Sequence, residues 1–255
     1  MTAQLIHDHF QNFKRYQIPK AQLIIADIPY NLGANAYGSS PLWYIDGDNK
    51  NGESNLAGKQ FFDTDKNFRV PEFMHFASRM LRKEPKERGQ APCMIVFCAF
   101  DQQPMIIDQA KKAGFKNYIN LVFRKRTSPQ VLKANMRVVG NAEYALILYR
   151  DKLPKFNNRG RMVMNVMDWP RDPNTPKVHP TQKPVPLLEQ LIELFTDSGD
   201  VVIDPCAGSG STLVAAENLN RKAYGFEIKK EFCDAYETRM RRAVTVGLPL
   251  WEEAQ

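Results

Sequence analysis

Two apolar runs in this chain stop in the same way. Leu23-Ile24-Ile25-Ala26 ends at Asp27-Ile28-Pro29-Tyr30, and Val201-Val202-Ile203 ends at Asp204-Pro205-Cys206. A short continuous apolar run bounded by proline reads as a strand buried on both faces of a parallel sheet. Proline has no N–H and a fixed φ, so the strand ladder cannot continue through it. Each acid is therefore left at the carboxyl end of a strand, where open α/β sheets bind their ligands.

The first stretch suits a particular chemistry. An exocyclic amino group of a base is a poor nucleophile because its lone pair is delocalised into the ring. A carboxylate (Asp27) and a main-chain carbonyl (that of Ile28) can accept its two protons and favour a more tetrahedral nitrogen. Tyr30 offers a face for base stacking, worth about 1–3 kcal/mol. From these residues alone a second reading stands equally: a strand that simply ends in a turn, with Asp27 as its cap.

The second stretch continues as Ala207-Gly208-Ser209-Gly210-Ser211-Thr212 into Leu213-Val214-Ala215-Ala216-Glu217. Gly208 and Gly210 allow a tight turn and close approach to a ligand. Another strand, Ala223-Tyr224-Gly225-Phe226, ends at Glu227, 23 residues after Asp204. A carboxylate at that spacing suits ribose hydroxyls, as in nucleotide-binding βαβ units.

Together these stretches resemble the amino-group DNA methyltransferases that use S-adenosylmethionine. Asp27-Ile28-Pro29-Tyr30 is similar to that family's Asp-Pro-Pro-Tyr catalytic motif. Asp204-Pro205-Cys206-Ala207-Gly208-Ser209-Gly210-Ser211 is similar to its Asp-Pro-Phe-x-Gly-Ser-Gly-Thr cofactor loop, with Cys206 at the usual Phe position. His179-Pro180-Thr181-Gln182-Lys183-Pro184 is a third match at the expected spacing. The catalytic motif precedes the cofactor motif, which is the order of the beta group.

The resemblance implies a Rossmann-like methyltransferase fold in circularly permuted form: a doubly wound, mostly parallel sheet with an antiparallel edge. Its amino-terminal strand would lie beside the last cofactor strands. It implies that Asp204, Pro205, Cys206, Gly208, Ser209, Gly210, Ser211 and Thr212 form the cofactor loop and that Glu227 holds the ribose hydroxyls. Asp27 would face the cofactor as well as the base. His179 and Lys183 would approach the cofactor's methionine end, Lys183 as charge partner of its carboxylate. Asp8 is either a further cofactor contact or a helix N-cap. The target is expected to be adenine N6, because an acid usually opens the motif of adenine enzymes and Ser that of cytosine-N4 enzymes. No metal or covalent intermediate is required. DNA is the expected partner, duplex or single-stranded, and the family pattern allows a homodimer and a cognate restriction endonuclease. The expected location is the bacterial or phage-host cytoplasm, at the nucleoid.

At 255 residues and 43% apolar the chain can bury a full core as one domain, 1–255. No apolar run approaches the ~20 residues that span a bilayer, and the start has no signal-peptide pattern. The four cysteines form no Cys-x-x-Cys pair and have no histidine at metal spacing, which reads as buried free thiols.

Between the motifs, residues 31–67 are polar and rich in Gly, Asn, Ser and Asp, with Tyr37, Trp43, Tyr44, Phe61 and Phe62. A stretch of this length is expected to be a mobile flap over the base or the DNA. Helices are expected over 70–83, 104–113, 186–195 and 232–243, and strands over 2–6, 94–98, 118–123 and 144–149, the last two paired.

Net charge is +7, and the excess is concentrated. Between Arg124 and Arg161 ten Lys or Arg face only Glu143 and Asp151. Arg124, Lys125, Arg126, Lys133, Arg137, Arg159 and Arg161 are the expected phosphate contacts. Residues 124–178 are the expected DNA-contact and target-recognition region. The recognition part, 151–178, is short, which implies a short or loosely read site.

Three other readings compete. A nicotinamide-dependent oxidoreductase would be expected to show Gly-x-Gly-x-x-Gly, but two residues after Gly210 comes Thr212, then Leu213. A catalytically silent DNA-binding module would explain the departures at Ile28 and Cys206, but not the retained Asp27, Tyr30 and Glu227. Methylation of RNA or of protein glutamine uses related motifs that often open with Asn.

Overall fold

A computed structural model describes residues 3–30, 68–125, 130–133, 138–173, 175 and 182–246. Ten strands are present among them: β1 (Ala3–His7), β2 (Leu23–Asp27), β3 (Cys93–Cys98), β4 (Asn117–Arg124), β5 (Gln130–Lys133), β6 (Val138–Gly140), β7 (Ala142–Tyr149), β8 (Val166–Asp168), β9 (Val201–Asp204) and β10 (Lys222–Glu227). The α-helices are α1 (Val70–Met80), α2 (Gln103–Lys112), α3 (Val185–Phe195), α4 (Ser211–Asn218) and α5 (Lys230–Val246).

Eight strands form one sheet in the order β1-β10-β9-β2-β3-β7-β4-β8, and β5 and β6 pair separately. The run from β1 to β3 is parallel throughout. The first strand therefore does lie beside the last one, with Ala3 opposite Ala223. The expected pairing of 118–123 with 144–149 is present as the antiparallel ladder of β4 and β7. The antiparallel strand is not the outermost one, however. β7 sits between β3 and β4, and β8 closes the edge parallel to β4. Part of the stretch expected to read the target is thus built into the sheet.

The strands are apolar because they face helices on both sides. Along β2, Leu23 and Ile25 belong to one core cluster and Ile24 and Ala26 to the other, as the twofold alternation of a strand requires. The first cluster packs against α3 and α4, through Leu188, Leu191, Ile192, Leu213 and Val214. The second packs against α1 and α2, through Phe73, Phe76, Ala77, Ile106 and Ala110. Helix α1 ends at Met80, three residues short of expectation, because the chain turns extended and Leu81 bridges to Ala21 beside β2. Among the described residues no helix is long and apolar enough to cross a membrane.

Connectivity sets the site. Strand β2 connects through α1 to β3 on one side, and β9 connects through α4 to β10 on the other. β2 and β9 are themselves neighbours. At such a reversal of strand order the two crossovers part and leave a crevice beyond the carboxyl ends of the strands.

Candidate active site

Asp27, Asp204 and Glu227 end three adjacent strands, β2, β9 and β10, at that crevice. Ile28 is buried, and its N–H still bonds to the Phe97 carbonyl at 3.3 Å, so β2 is held to β3 one residue beyond the acid. Pro29 then stops the ladder. The Pro29 carbonyl accepts from Gln102 Nε2 at 2.9 Å, and Gln102 Oε1 accepts from the Ala99 N–H at 3.0 Å.

Asp27 has two unequal oxygens. Oδ2 accepts from Lys183 Nζ at 2.6 Å. Oδ1 is buried and has no hydrogen-bond partner among the described residues. A buried carboxylate oxygen in that state costs free energy unless something donates to it. Burial raises the Asp27 pKa, and the Lys183 ammonium opposes that rise.

Lys183 is deeply buried and makes a second ion pair, to Glu143 Oε2 at 3.2 Å. Its Nζ also lies 5.5 Å from the Tyr30 ring centroid and 5.1 Å from that of Phe97. Burial works to lower its pKa, but Asp27 and Glu143 outweigh that and raise it. For Glu143 burial works upward, and Lys183 and Lys125 hold the carboxyl below its ordinary value. Tyr30 is pushed well above the usual phenol range by burial and by Asp27, so it stays neutral. Its face and hydroxyl remain beside Asp27.

The second half of the crevice is the turn after β9. Asp204 Oδ1 accepts from the Cys206 N–H at 3.0 Å, and Thr212 also bonds to this carboxyl. Burial lifts the Asp204 pKa to about 7. Gly208 and Gly210 take φ of 51° and 78°, which side-chain-bearing residues rarely adopt. A Cβ on Gly210 would also lie 2.4 Å from the Tyr236 ring. The Gly208 N–H bonds to Glu227 Oε2 at 2.8 Å, so Glu227 ties the turn to β10. Ser209 Oγ bonds to Gln182 at 3.3 Å, which joins this turn to the Gln182-Lys183 segment. The Ser211 hydroxyl is buried at the start of α4 and, like Asp27 Oδ1, lacks a partner among the described residues.

Other expected positions are placed differently. Asp8 accepts from the His9 N–H, Asn12 and Tyr16, so its carboxylate is engaged in its own turn. Lys125 does not face outward as a phosphate contact would. Its ammonium is paired with Glu143 and lies 4.9 Å from the Trp169 ring centroid. Arg124 is exposed but paired with Asp168 at 2.7 Å. Arg159 and Arg161 lie on an exposed loop, and Lys133 ends β5. His179, Arg126, Arg137 and the whole 31–67 stretch lie outside the described residues. The residue that sequence reading missed is Glu143. It counted there only as an opposing charge, and no motif contains it.

A family model described as DNA methylase, N6_N4_Mtase, matches residues 21–238. The chain belongs to the N6/N4 DNA methylase family. Among curated relatives, YubD of Escherichia coli (strain K12) is 33% identical over 157 residues, 60% of this chain. That match spans 65% of YubD, just under two thirds of its length. The DNA adenine methyltransferase YhdJ of the same organism is 28% identical over 250 residues, 89% of this chain and 79% of its own. Among solved structures, the complex of M1.HpyAVI with SAM is 23% identical, with a TM-score of 0.64 over 93% of this chain and 99% of its own. PvuII DNA methyltransferase, described as cytosine-N4-specific, is 14% identical, with a TM-score of 0.66 over 93% and 86%. At such low identity these two structures show the fold alone.

Proposed function

We propose that this chain transfers a methyl group from S-adenosylmethionine to the exocyclic N6 of an adenine flipped out of DNA. The observation that carries the reading is Asp27 Oδ1, a buried acceptor with no hydrogen-bond partner among the described residues, on an acid that neighbours the Tyr30 side chain.

The residues of the second turn fit the cofactor. The positive φ at Gly208 and Gly210 brings bare backbone to the crevice, and the unpartnered Ser211 hydroxyl stands at the same edge. Glu227 accepts backbone amides from Gly208, Lys229 and Ile228, which leaves its carboxylate lone-pair capacity for a ribose hydroxyl. When bound, S-adenosylmethionine supplies a methyl group already activated on a sulfonium. Lys183 was expected to pair with the cofactor's carboxylate; among the described residues its ammonium pairs with Asp27 and Glu143. The role that fits its position is toward the acid.

Extruding the base costs a few kcal/mol, less in mismatched or single-stranded DNA. Tyr30 receives its ring. Asp27 Oδ1 accepts one amino proton and the Ile28 carbonyl the other, which localises the nitrogen lone pair. That pair forms the new N–C bond while the C–S bonding pair leaves with sulfur. Asp27 is placed to take the proton the nitrogen then releases. Because the leaving group is neutral, positioning supplies most of the rate.

Adenine is favoured over cytosine because an acid opens the catalytic motif, and YhdJ is named as an adenine enzyme. Cytosine N4 is the second reading, since the family model covers both amino groups. The deciding experiment is transfer from labelled S-adenosylmethionine to unmethylated duplex DNA by the wild type and Asp27→Ala, with nucleoside analysis. N6-methyladenine from the wild type alone is the expected product. N4-methylcytosine would move the assignment to cytosine, and cofactor binding without transfer to any DNA would favour a silent module.

A further inference from the structure

Four side chains from distant parts of the chain alternate in charge across the floor of the site. Lys125, just beyond β4, pairs with Glu143 of β7, and Glu143 Oε2 accepts from Lys183 at 3.2 Å. Lys183 donates to Asp27 Oδ2 at 2.6 Å, and the row ends at Asp27 Oδ1, which has no partner among the described residues. Aromatic rings wall the row. Trp169 lies under both ammonium groups, at 4.9 Å from Lys125 and 5.9 Å from Lys183, and Phe97 lies 5.1 Å from Lys183.

A lysine ammonium is a compact point charge on a flexible stem, and by itself it does not fix the geometry of a carboxylate it meets. An ammonium buried this deeply must also place its protons on acceptors. With Asp27 as its one anionic partner, Lys183 could swing about that contact and engage either oxygen. Glu143 supplies a second anchor for the ammonium, at 3.2 Å. Two anchors define the line along which Lys183 approaches Asp27, and along that line it reaches Oδ2. Glu143 is itself anchored by Lys125, so its carboxylate is held from behind.

We propose, building on the methyl-transfer reading, that Glu143 is a positioning residue for that step: acting through Lys183, it sets Asp27 with Oδ2 held and Oδ1 presented to the amino group of the base. Besides its two lysines, Glu143 accepts from the Tyr30 hydroxyl at 3.5 Å. It orders the acid that meets the base.

The test compares single-turnover transfer, KM for S-adenosylmethionine and thermal midpoint for wild type, Glu143→Gln and Glu143→Asp. Glu143→Gln keeps shape and removes the charge. It is expected to lower the transfer rate by about tenfold or more while KM stays within about threefold. Glu143→Asp, which restores the charge, is expected to recover part of the loss. In a Lys183→Met background the Glu143→Gln change is expected to cost little more, because its effect runs through Lys183. A wild-type transfer rate in Glu143→Gln overturns the inference, as does a loss that falls equally on rate, KM and thermal midpoint. A wild type that moves no methyl to DNA sinks the transfer reading itself, and this inference with it. An active wild type matched by Glu143→Gln sinks the inference alone. Should Glu143→Gln fail to fold, Lys125→Met removes the outer anchor instead. There the rate is expected to fall by about threefold with KM and midpoint held, and an unchanged rate overturns the proposal.

Discussion

Gln102 and Pro29 are joined across the top of the sheet. The Gln102 amide donates to the Pro29 carbonyl while its oxygen accepts from Ala99, so one side chain braces the loop that follows β2 against the end of β3. Truncation to Gln102→Ala leaves the motif intact but unbraced. Transfer is expected to slow by about tenfold through misplacement of Asp27 and Tyr30, with cofactor KM nearly unchanged. Steady-state kinetics of the variant check this; a KM effect without a kcat effect would mean the brace serves the cofactor side.

The pH dependence of transfer follows from the state of Asp27. Burial raises its pKa, and in the proposed mechanism the ionised form is the one that would accept the amino proton. The acid limb of kcat is therefore expected above the ordinary aspartate range, with activity rising as pH rises through it. Asp27→Asn is expected to remove nearly all the rate. A limb at the ordinary aspartate value, in an active wild type, would assign it to another group.

Asp204 makes the opposite kind of statement, about stability. Its carboxyl is lifted by burial to about 7, above its value in an unfolded chain, so the folded protein holds that proton more tightly. Such a group contributes stability in full below the ordinary aspartate range, and the contribution is lost as pH rises from there through about 7. The whole effect is roughly 4 kcal/mol at most. Denaturant unfolding of the cofactor-free protein across that window should show the decline, and Asp204→Asn should flatten it. A stability that climbs from pH 4 to pH 7 to the same degree in both proteins would contradict this.

The basic region divides into inward and outward charges. Arg159 and Arg161 are exposed, whereas Lys125 is tied to Glu143. Replacing both arginines with alanine is expected to weaken DNA binding and lower the salt slope by about one unit per lost phosphate contact. Lys125→Met should leave that slope unchanged and lower kcat. DNA-binding titrations at several salt concentrations separate the two classes.

How far the sequence could be read follows from which interactions are local. The strand ends at Asp27 and Asp204 were readable because each is written in one short stretch: an apolar run, an acid, and a proline that stops the ladder. Glu227 was readable from a strand ending in an acid at a set spacing after Asp204. Glu143 was not, because its burial depends on β7 entering the sheet between β3 and β4, a long-range event with no local signature. The same insertion turned Lys125 inward, and counting charges along a run cannot say which of them face the core. Lys183 was found through its motif, but its pairing with Asp27 was not, since Asp27 lies 156 residues away in the chain.

That separation bears on how the protein is made. β2 leaves the ribosome long before β9, its neighbour in the finished sheet, and at about 5–20 residues per second the wait is roughly ten to thirty seconds. During it the edge of β2 that β9 will cover stands open, and the two halves of the crevice cannot meet. S-adenosylmethionine can therefore steady only the finished chain. The nascent first half has to be kept from pairing with other strand edges by speed or by chaperones.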